Sequence, residues 1–277
     1  MVSGSVLAAA VAVGVTTVGL STTSGADTSP TVSQLDLTGP PDSSERFGEG
    51  VVVLANGNYV VTDSGFDLDG EADVGAVHLY DGTDNTIIST LHGTTAGDQV
   101  GGPLALPDGD FLVISWNWDL GTTADVGAIT WVDGTTGLDG PVTTSNSLHG
   151  TSENDRVGFV DLLQNGDYLV RSLDWDLGPT ADVGAVTWID RSTPLTGPVT
   201  TSNSLHGTSE NDQVGQRVVE LSNGNLVASS WRWDDGTTAD VGAVTWIDRA
   251  DPLTGPVTTT NSLHGTTADD NVGDGVA

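Results

Sequence analysis

The sequence predicts an all-β protein built as a β-propeller-like array of four-stranded antiparallel blades. Three observations lead to this prediction. A long block of sequence recurs along the chain, the same tight polar turn is found in every copy, and no segment after Pro30 has a helical pattern of apolar residues.

Two markers define the repeat. One is Ala-Asp-Val-Gly-Ala followed by Val or Ile, and the other is Leu-His-Gly-Thr, which begins at Leu91, Leu148, Leu205 and Leu263. The copies are 57 or 58 residues apart, except that the first two copies of the Ala-Asp-Val-Gly-Ala marker are 52 apart, and such a period is typical of propellers, solenoids of supersecondary units and arrays. We therefore expect a repeat domain over residues 31–277, with repeats near 48–100, 101–157, 158–214 and 215–272 and the start of a fifth at 273.

Each repeat contains four strand signals. In the second repeat they are Pro103 to Leu106, Phe111 to Ser115, Gly127 to Val132 and Val142 to Leu148. The first two are joined in every copy by Asn-Gly or Asp-Gly, which supply the positive φ values of a two-residue hairpin turn. Four antiparallel strands in a unit of this length favour a propeller blade over a β-helix, whose coils use fewer residues.

The two ends of the chain differ from the repeats. Residues 1–30 contain the uncharged run Val6 to Leu20, which is too short to span a bilayer comfortably but has the length of a signal-peptide core, followed by a polar linker. The N-terminal residues MVSGS carry no basic side chain, so a buried strand or a disordered leader is the alternative. Residues 273–277 open a fifth repeat, and we therefore expect this array to be a fragment of a longer repeat protein.

The chain is strongly acidic. It has 38 Asp and Glu against 7 Arg and Lys, and its formal net charge is −31, so nucleic acids and anionic membrane surfaces are excluded as partners. The acidity is explained either by a solvated surface suited to high salt or by calcium binding. Because the acids are spread over all repeats, we favour the solvated surface. The absence of cysteine excludes disulfides, thiol nucleophiles and zinc-thiolate sites.

One acidic loop is a candidate metal site. In the first repeat Asp67, Asp69 and Asp73, with Gly70 between them, have the spacing of alternating oxygen ligands that calcium requires. The other repeats keep only the outer pair of aspartates. The alternative is that these aspartates cap turns through hydrogen bonds to nearby backbone N–H groups. Calcium is the only cofactor that the sequence suggests.

The tryptophans and histidines occupy repeated positions. Trp131, Trp188 and Trp246 lie in the third strand of their repeats, where we expect them to pack between sheets. A second set lies just before the acidic loop, where aromatic rings either cover the blade edge or stack on sugar rings: Trp116, Trp118, Trp175, Trp231 and Trp233. A histidine present in every unit predicts a repeated structural hydrogen bond, although a ring of such residues facing a channel would bind metal: His92, His149, His206 and His264.

Two related families share these patterns. Residues 46–81 resemble the FG-GAP repeat of integrin α-subunit propellers, and residues 203–248 are still more similar to a repeat of unknown function from large bacterial surface proteins of haemagglutinin or autotransporter type. The resemblance implies a propeller-like architecture and a location outside the cell. It does not bring the FG-GAP calcium loop, because short Asn-Gly or Asp-Gly turns take the place of that loop here.

These observations predict an extracellular or cell-surface protein with an adhesion, ligand-binding or structural role, whose partner is a surface ligand such as a carbohydrate or a protein. No nucleophile elbow, zinc-protease, Walker or dinucleotide motif is present, and we expect the chain not to be an enzyme. The alternative is a propeller-type carbohydrate-active hydrolase or lyase using paired Asp. An enzyme site should break the repeat symmetry, and only the first-repeat loop does so clearly.

Overall fold

A computed structural model describes residues 36–275, and the predicted leader at residues 1–30 lies outside this range. Within residues 36–275 all helix and strand structure is strand, in four sheets, which confirms the predicted all-β, propeller-like fold. Over the same residues there is no helix long and apolar enough to cross a bilayer.

The nineteen strands are distributed over four repeats. The first repeat contributes β1 (Gly50–Val53), β2 (Tyr59–Asp63), β3 (Ala76–Tyr80) and β4 (Ile87–His92). The second contributes β5 (Pro103–Ala105), β6 (Phe111–Ser115), β7 (Ala128–Val132), β8 (Gly140–Pro141) and β9 (Ser147–His149). The third contributes β10 (Phe159–Leu162), β11 (Tyr168–Ser172), β12 (Ala185–Ile189), β13 (Gly197–Pro198) and β14 (Ser204–His206). The fourth contributes β15 (Arg217–Glu220), β16 (Leu226–Ser230), β17 (Ala243–Ile247), β18 (Gly255–Pro256) and β19 (Ser262–His264).

The hairpin between the first two strands forms as predicted. In the first repeat, Gly57 donates its N–H to the Leu54 carbonyl at 3.0 Å, and Leu54 donates its N–H to the Asn58 carbonyl at 2.9 Å. Gly57 has a φ of 94°, a left-handed conformation that costs glycine little and that residues with a Cβ adopt rarely. This turn sets the antiparallel register of β1 and β2, in which Val53 lies opposite Tyr59.

The predicted fourth strand of the second repeat, Val142 to Leu148, is wrong. This region forms two short strands, and the first of them joins the sheet of the preceding repeat, with Gly140 opposite Leu91 in a parallel pair. The chain turns between them because the Asn146 side chain accepts the Thr143 N–H at 2.8 Å and donates to the Pro141 carbonyl at 3.0 Å.

The same arrangement is found in the third and fourth repeats. We call each Gly-Pro-Val segment a clasp: residues 140–142, 197–199 and 255–257. Each clasp valine donates its N–H at 2.9 Å to the histidine carbonyl of the preceding sheet's Leu-His edge, at His92, His149 and His206. Three sheets therefore have five strands, in the orders β1-β2-β3-β4-β8, β5-β6-β7-β9-β13 and β10-β11-β12-β14-β18, and the last has the order β15-β16-β17-β19.

The hydrophobic core lies between consecutive sheets. Each of the three large buried clusters combines one face of a repeat with the opposite face of the next. In the first cluster, Leu54, Val60 and Leu91 of the first repeat pack with Phe111, Trp118 and other residues of the second. Since a single sheet has no interior, each repeat depends on its neighbours for burial, as in other repeat arrays.

This arrangement predicts that one substitution has different costs in different repeats. Leu148 is 1% exposed and its equivalent Leu263 is 75% exposed. We expect Leu148→Ala to lower the free energy of unfolding by about 2–5 kcal/mol, because it opens a cavity between two sheets. Leu263→Ala should change it by less than about 0.5 kcal/mol. Urea unfolding of both variants checks this, and equal losses would contradict an interface core.

Candidate functional site

The acidic loops are organised by one repeated hydrogen bond. In the first repeat the Asp73 N–H donates to Asp67 Oδ1 at 2.8 Å. The equivalent bond is present in the other three loops at 2.8 to 2.9 Å, between Asp125 and Asp119, Asp182 and Asp176, and Asp240 and Asp234. The first aspartate of each pair therefore caps the loop, as the turn-capping alternative expects.

Asp69 lies at the exposed turn of the first loop with a φ of 55°, between Leu68 and Glu71, which pair with each other. Across residues 36–275 no group of three or more His, Cys, Asp or Glu residues is arranged to hold a metal ion. Calcium binding by Asp67, Asp69 and Asp73 stays a prediction.

The capping geometry and the net charge lead to a test of that prediction. We expect sodium chloride to raise the melting temperature by screening repulsion among the carboxylates, and calcium chloride at equal ionic strength to add little. Asp69→Ala should be nearly neutral under both salts. Differential scanning calorimetry measures this, and a large calcium-specific shift that Asp69→Ala abolishes would instead establish the metal site.

A second set of aspartates was missed by the sequence analysis. Asp98, Asp155 and Asp212 follow the Leu-His-Gly segment and are fully buried. In Asp212, Oδ2 accepts the N–H groups of Thr208 and Ser209 at 2.8 Å, and Oδ1 accepts the Asp234 N–H of the next repeat at 2.9 Å. Asp98 and Asp155 make the same three bonds. Each carboxylate therefore connects the end of one repeat to the acidic loop of the next.

Close packing around these carboxylates explains the glycine of the Leu-His-Gly segment. A Cβ at Gly150 would lie 2.4 Å from the Val126 carbonyl oxygen and 2.6 Å from Asp155 Cβ. No side chain fits at that position without moving the backbone.

Burial raises the pKa of all three carboxyl groups, and it raises the pKa of Asp212 to about 6. The three N–H bonds act in the opposite direction, but they do not offset the loss of solvation. Asp270, the equivalent residue in the fourth repeat, is exposed and bonds only to Thr266 and Thr267, which lowers its pKa.

The raised pKa of Asp212 predicts a specific pH dependence of stability. Between the ordinary value of 3.8 and the native value of about 6, the folded protein holds a proton that the unfolded chain lacks. The contribution of this proton is present in full below about pH 4 and is lost as the pH rises through about 6, on the order of 2 kcal/mol in all. We expect the melting temperature to rise when the pH is lowered from about 7 to about 5.

Asp212→Asn should reduce this rise, and Asp270→Asn is the matched control that should not. Melting curves at both pH values check the expectation. An identical rise in the wild-type protein and in Asp212→Asn would show that other carboxylates cause it.

The repeated histidines are structural, as the sequence predicts. Nδ1 of each donates to the carbonyl of the following glycine at 2.6 to 2.7 Å, in His92, His149, His206 and His264. In the second repeat the His149 ring also lies 5.9 Å from the ring of Trp118 in an edge-on contact.

The predicted packing of third-strand tryptophans between sheets is confirmed for Trp131 and Trp188, which contact the cores between repeats. Of the set beside the acidic loops, Trp118, Trp175 and Trp233 are buried in the core, so their rings are closed to sugars. Trp116 packs edge-on against Phe159 of the next repeat at 4.5 Å. The third-strand residues Trp131 and Trp188 are half-buried, as are the loop residues Trp116 and Trp231, and Trp246 is 53% exposed.

Trp131 forms a wall of a groove between the second and third repeats. The groove has a volume of about 450 Å³, which is within the range of small-molecule sites. Leu138 and Leu195 supply apolar surface beside the indole, and Thr136, Asp133 and Thr196 supply hydroxyl and carboxylate groups. The equivalent groove at Trp188, between the third and fourth repeats, has a volume of only about 80 Å³.

Asp133 is an ionised acceptor at this groove. Its Oδ1 accepts the N–H groups of Thr135 and Thr136 at 2.8 and 2.9 Å, and these bonds lower the pKa of the carboxyl group. The groove therefore combines an aromatic face, two leucines and an anionic hydrogen-bond acceptor.

Comparison with known families identifies the repeat. The model of a repeat of unknown function, DUF5650, matches residues 53–102, 105–159, 162–216 and 220–274. The chain belongs to this family. No curated protein matches the sequence.

Solved structures match most of the chain at low identity. Virginiamycin B lyase from Staphylococcus aureus is 11% identical with a TM-score of 0.37, over 76% of this chain and 55% of the lyase. A catalytically inactive variant of that lyase with quinupristin is 9% identical with a TM-score of 0.40, over 80% of this chain and 59% of the variant. A protein of unknown function from Bacteroides caccae is 13% identical with a TM-score of 0.32, over 79% of this chain and 60% of that protein. The DUF5650 chain thus spans less than two thirds of each.

Repeat symmetry and missing motifs led to the expectation that the chain is not an enzyme, and this expectation is wrong. An enzyme, virginiamycin B lyase, is among the solved structures that match most of the chain. At these identities and TM-scores the likeness assigns no activity to the DUF5650 repeats.

Proposed function

We propose that this protein is an extracellular, cell-surface ligand-binding protein that binds neutral carbohydrate in the groove beside Trp131. The observation that supports the proposal most directly is the half-buried indole in a groove of about 450 Å³. One face of a pyranose ring carries C–H groups, and such a face stacks favourably on an indole ring. Leu138 and Leu195 extend the apolar surface on which the ring would lie.

The polar groups of the groove fit sugar hydroxyls. The Asp133 carboxylate accepts hydrogen bonds from hydroxyls, and the hydroxyls of Thr136 and Thr196 donate or accept. A net charge of −31 disfavours acidic polysaccharides and nucleic acids, so a neutral sugar is the class of ligand that suits the whole molecule.

A location outside the cell accords with the signal-peptide-like residues 1–30 and with the resemblance to repeats of large bacterial surface proteins. Repeats packed side by side present an extended binding surface, which suits adhesion. The proposal thus joins a surface location to a carbohydrate ligand.

The experiment measures quenching of tryptophan fluorescence by two neutral probes, cellohexaose and chitohexaose. For whichever probe binds, we expect Trp131→Ala to raise the dissociation constant about tenfold, which corresponds to about 1.4 kcal/mol of stacking. Trp188→Ala is the matched control, and its affinity should stay within about twofold of the wild type because its groove is too small for a sugar ring. Absence of binding to both probes, or equal losses in the two variants, would refute the proposal.

A further inference from the structure

The fourth repeat exposes a face that is buried in every other repeat. We call it the forward face: the side of a sheet that packs on the following repeat. Its central leucine is 2%, 1% and 0% exposed at Leu91, Leu148 and Leu205, and 75% exposed at Leu263. Val244 and Trp246 belong to the same face and are also more exposed than their equivalents in the second and third repeats.

The edge of this face also lacks its strand partner. In the first three repeats the Leu-His edge pairs in parallel with the clasp of the next repeat. Among residues 36–275, β19 pairs only with β17, and no clasp lies against Leu263 and His264. Asp270 accepts two N–H bonds, while its three equivalents accept a third from the next repeat.

The opposite end of the array is built differently. The first repeat has no Gly-Pro-Val clasp between β3 and β4. Its outer face carries Tyr59 and Tyr80, whose rings stack at 5.2 Å. The stretch before β1 packs on that face through Phe47, whose ring lies 5.9 Å from the His78 ring.

The same N-terminal stretch makes polar contacts with buried groups. Ser44 bonds through its N–H and its hydroxyl to the buried Asp63, which replaces the serine of the second and third repeats. Burial lowers the pKa of His78 to about 4 and keeps the ring neutral at neutral pH. The first repeat thus differs from the internal repeats, whereas the fourth repeats their geometry.

We propose that the forward face of the fourth repeat binds a further unit of the same repeat type. The unit would place its clasp against Leu263 and His264 and its loop N–H on Asp270 Oδ1, as three existing junctions do. A second copy of this chain does not supply such a unit, because its first repeat has no clasp and the clasps of its other repeats are already paired. The occupant is therefore a repeat whose clasp is unpaired.

The test uses the full chain with a second copy of residues 215–272 inserted directly after Val272. In the natural chain Leu263→Glu should leave the urea midpoint unchanged, because the side chain faces solvent. In the extended chain, Leu263→Glu at the original position should lower the ratio of folded to unfolded protein by tenfold or more. The same substitution in the added copy of Leu263 is the matched control and should be neutral.

Hydrogen exchange gives a second readout of the extended chain. The Asp234 N–H of the added copy should become as protected as Asp119 and Asp176 are in the natural chain, because it would bond to Asp270. An unprotected added unit on an otherwise folded array, or a neutral original Leu263→Glu, would overturn the proposal. A natural chain that sediments as a dimer and becomes monomeric with Leu263→Glu would also overturn it, because the occupant would then be a second copy.

Discussion

Burial between consecutive sheets is the interaction on which the rest of this structure depends. Phe111 and Trp118 of the second repeat complete the core that Leu54 and Leu91 begin in the first, and each later junction uses the equivalent residues. Such a core is shared, so the stability of any repeat is the sum of its own strand pairing and of its two interfaces. A repeat with one interface missing retains its hairpins but exposes the leucine of its outer strand, as Leu263 shows.

Two sets of polar interactions cross each interface between repeats and fix its register. The clasp adds parallel backbone pairing at the outer edge of the preceding sheet, and the buried aspartate adds a hydrogen bond at the loop end. A buried carboxylate costs solvation free energy, and it is tolerated at Asp155 because three N–H groups satisfy it. The N–H donated by Asp176 is available only when the next repeat is folded in place. The carboxylate therefore links neighbouring repeats specifically, whereas apolar contact alone would tolerate small shifts.

Much of this fold could be predicted from the sequence because its strongest signals are local. The Asn-Gly turn at Asn56 and Gly57 favours a hairpin through its own backbone conformation, and the hairpin forms as predicted. The clasp could not be predicted in the same way. Gly140 and Pro141 pair with Leu91 of another repeat, and a pattern within one segment carries no information about that long-range partner.

The candidate site shows the same limit. Asp212 lies in a polar stretch and looks like one of many surface acids, and its burial follows only from the packing of the next repeat. The sequence alone leaves open whether the loop tryptophans cover the blade edge or stack on sugars, because only the tertiary structure decides which ring is covered. Trp233 is buried, while Trp131 is left with one face in a groove.

The distribution of charge connects the groove, the forward face and the acidity of the chain. A molecule with a net charge of −31 repels further copies of itself unless the approaching surfaces are uncharged. Val244, Trp246 and Leu263 of the forward face carry no charge. The exposed Asp270 accepts two N–H groups there, at the position where its equivalents accept a third. The acids at the junctions, such as Asp155 and Asp212, are buried and bonded to backbone N–H groups, and the apolar surfaces that join repeats carry no unpaired charge. A groove formed at such an apolar junction suits a neutral ligand.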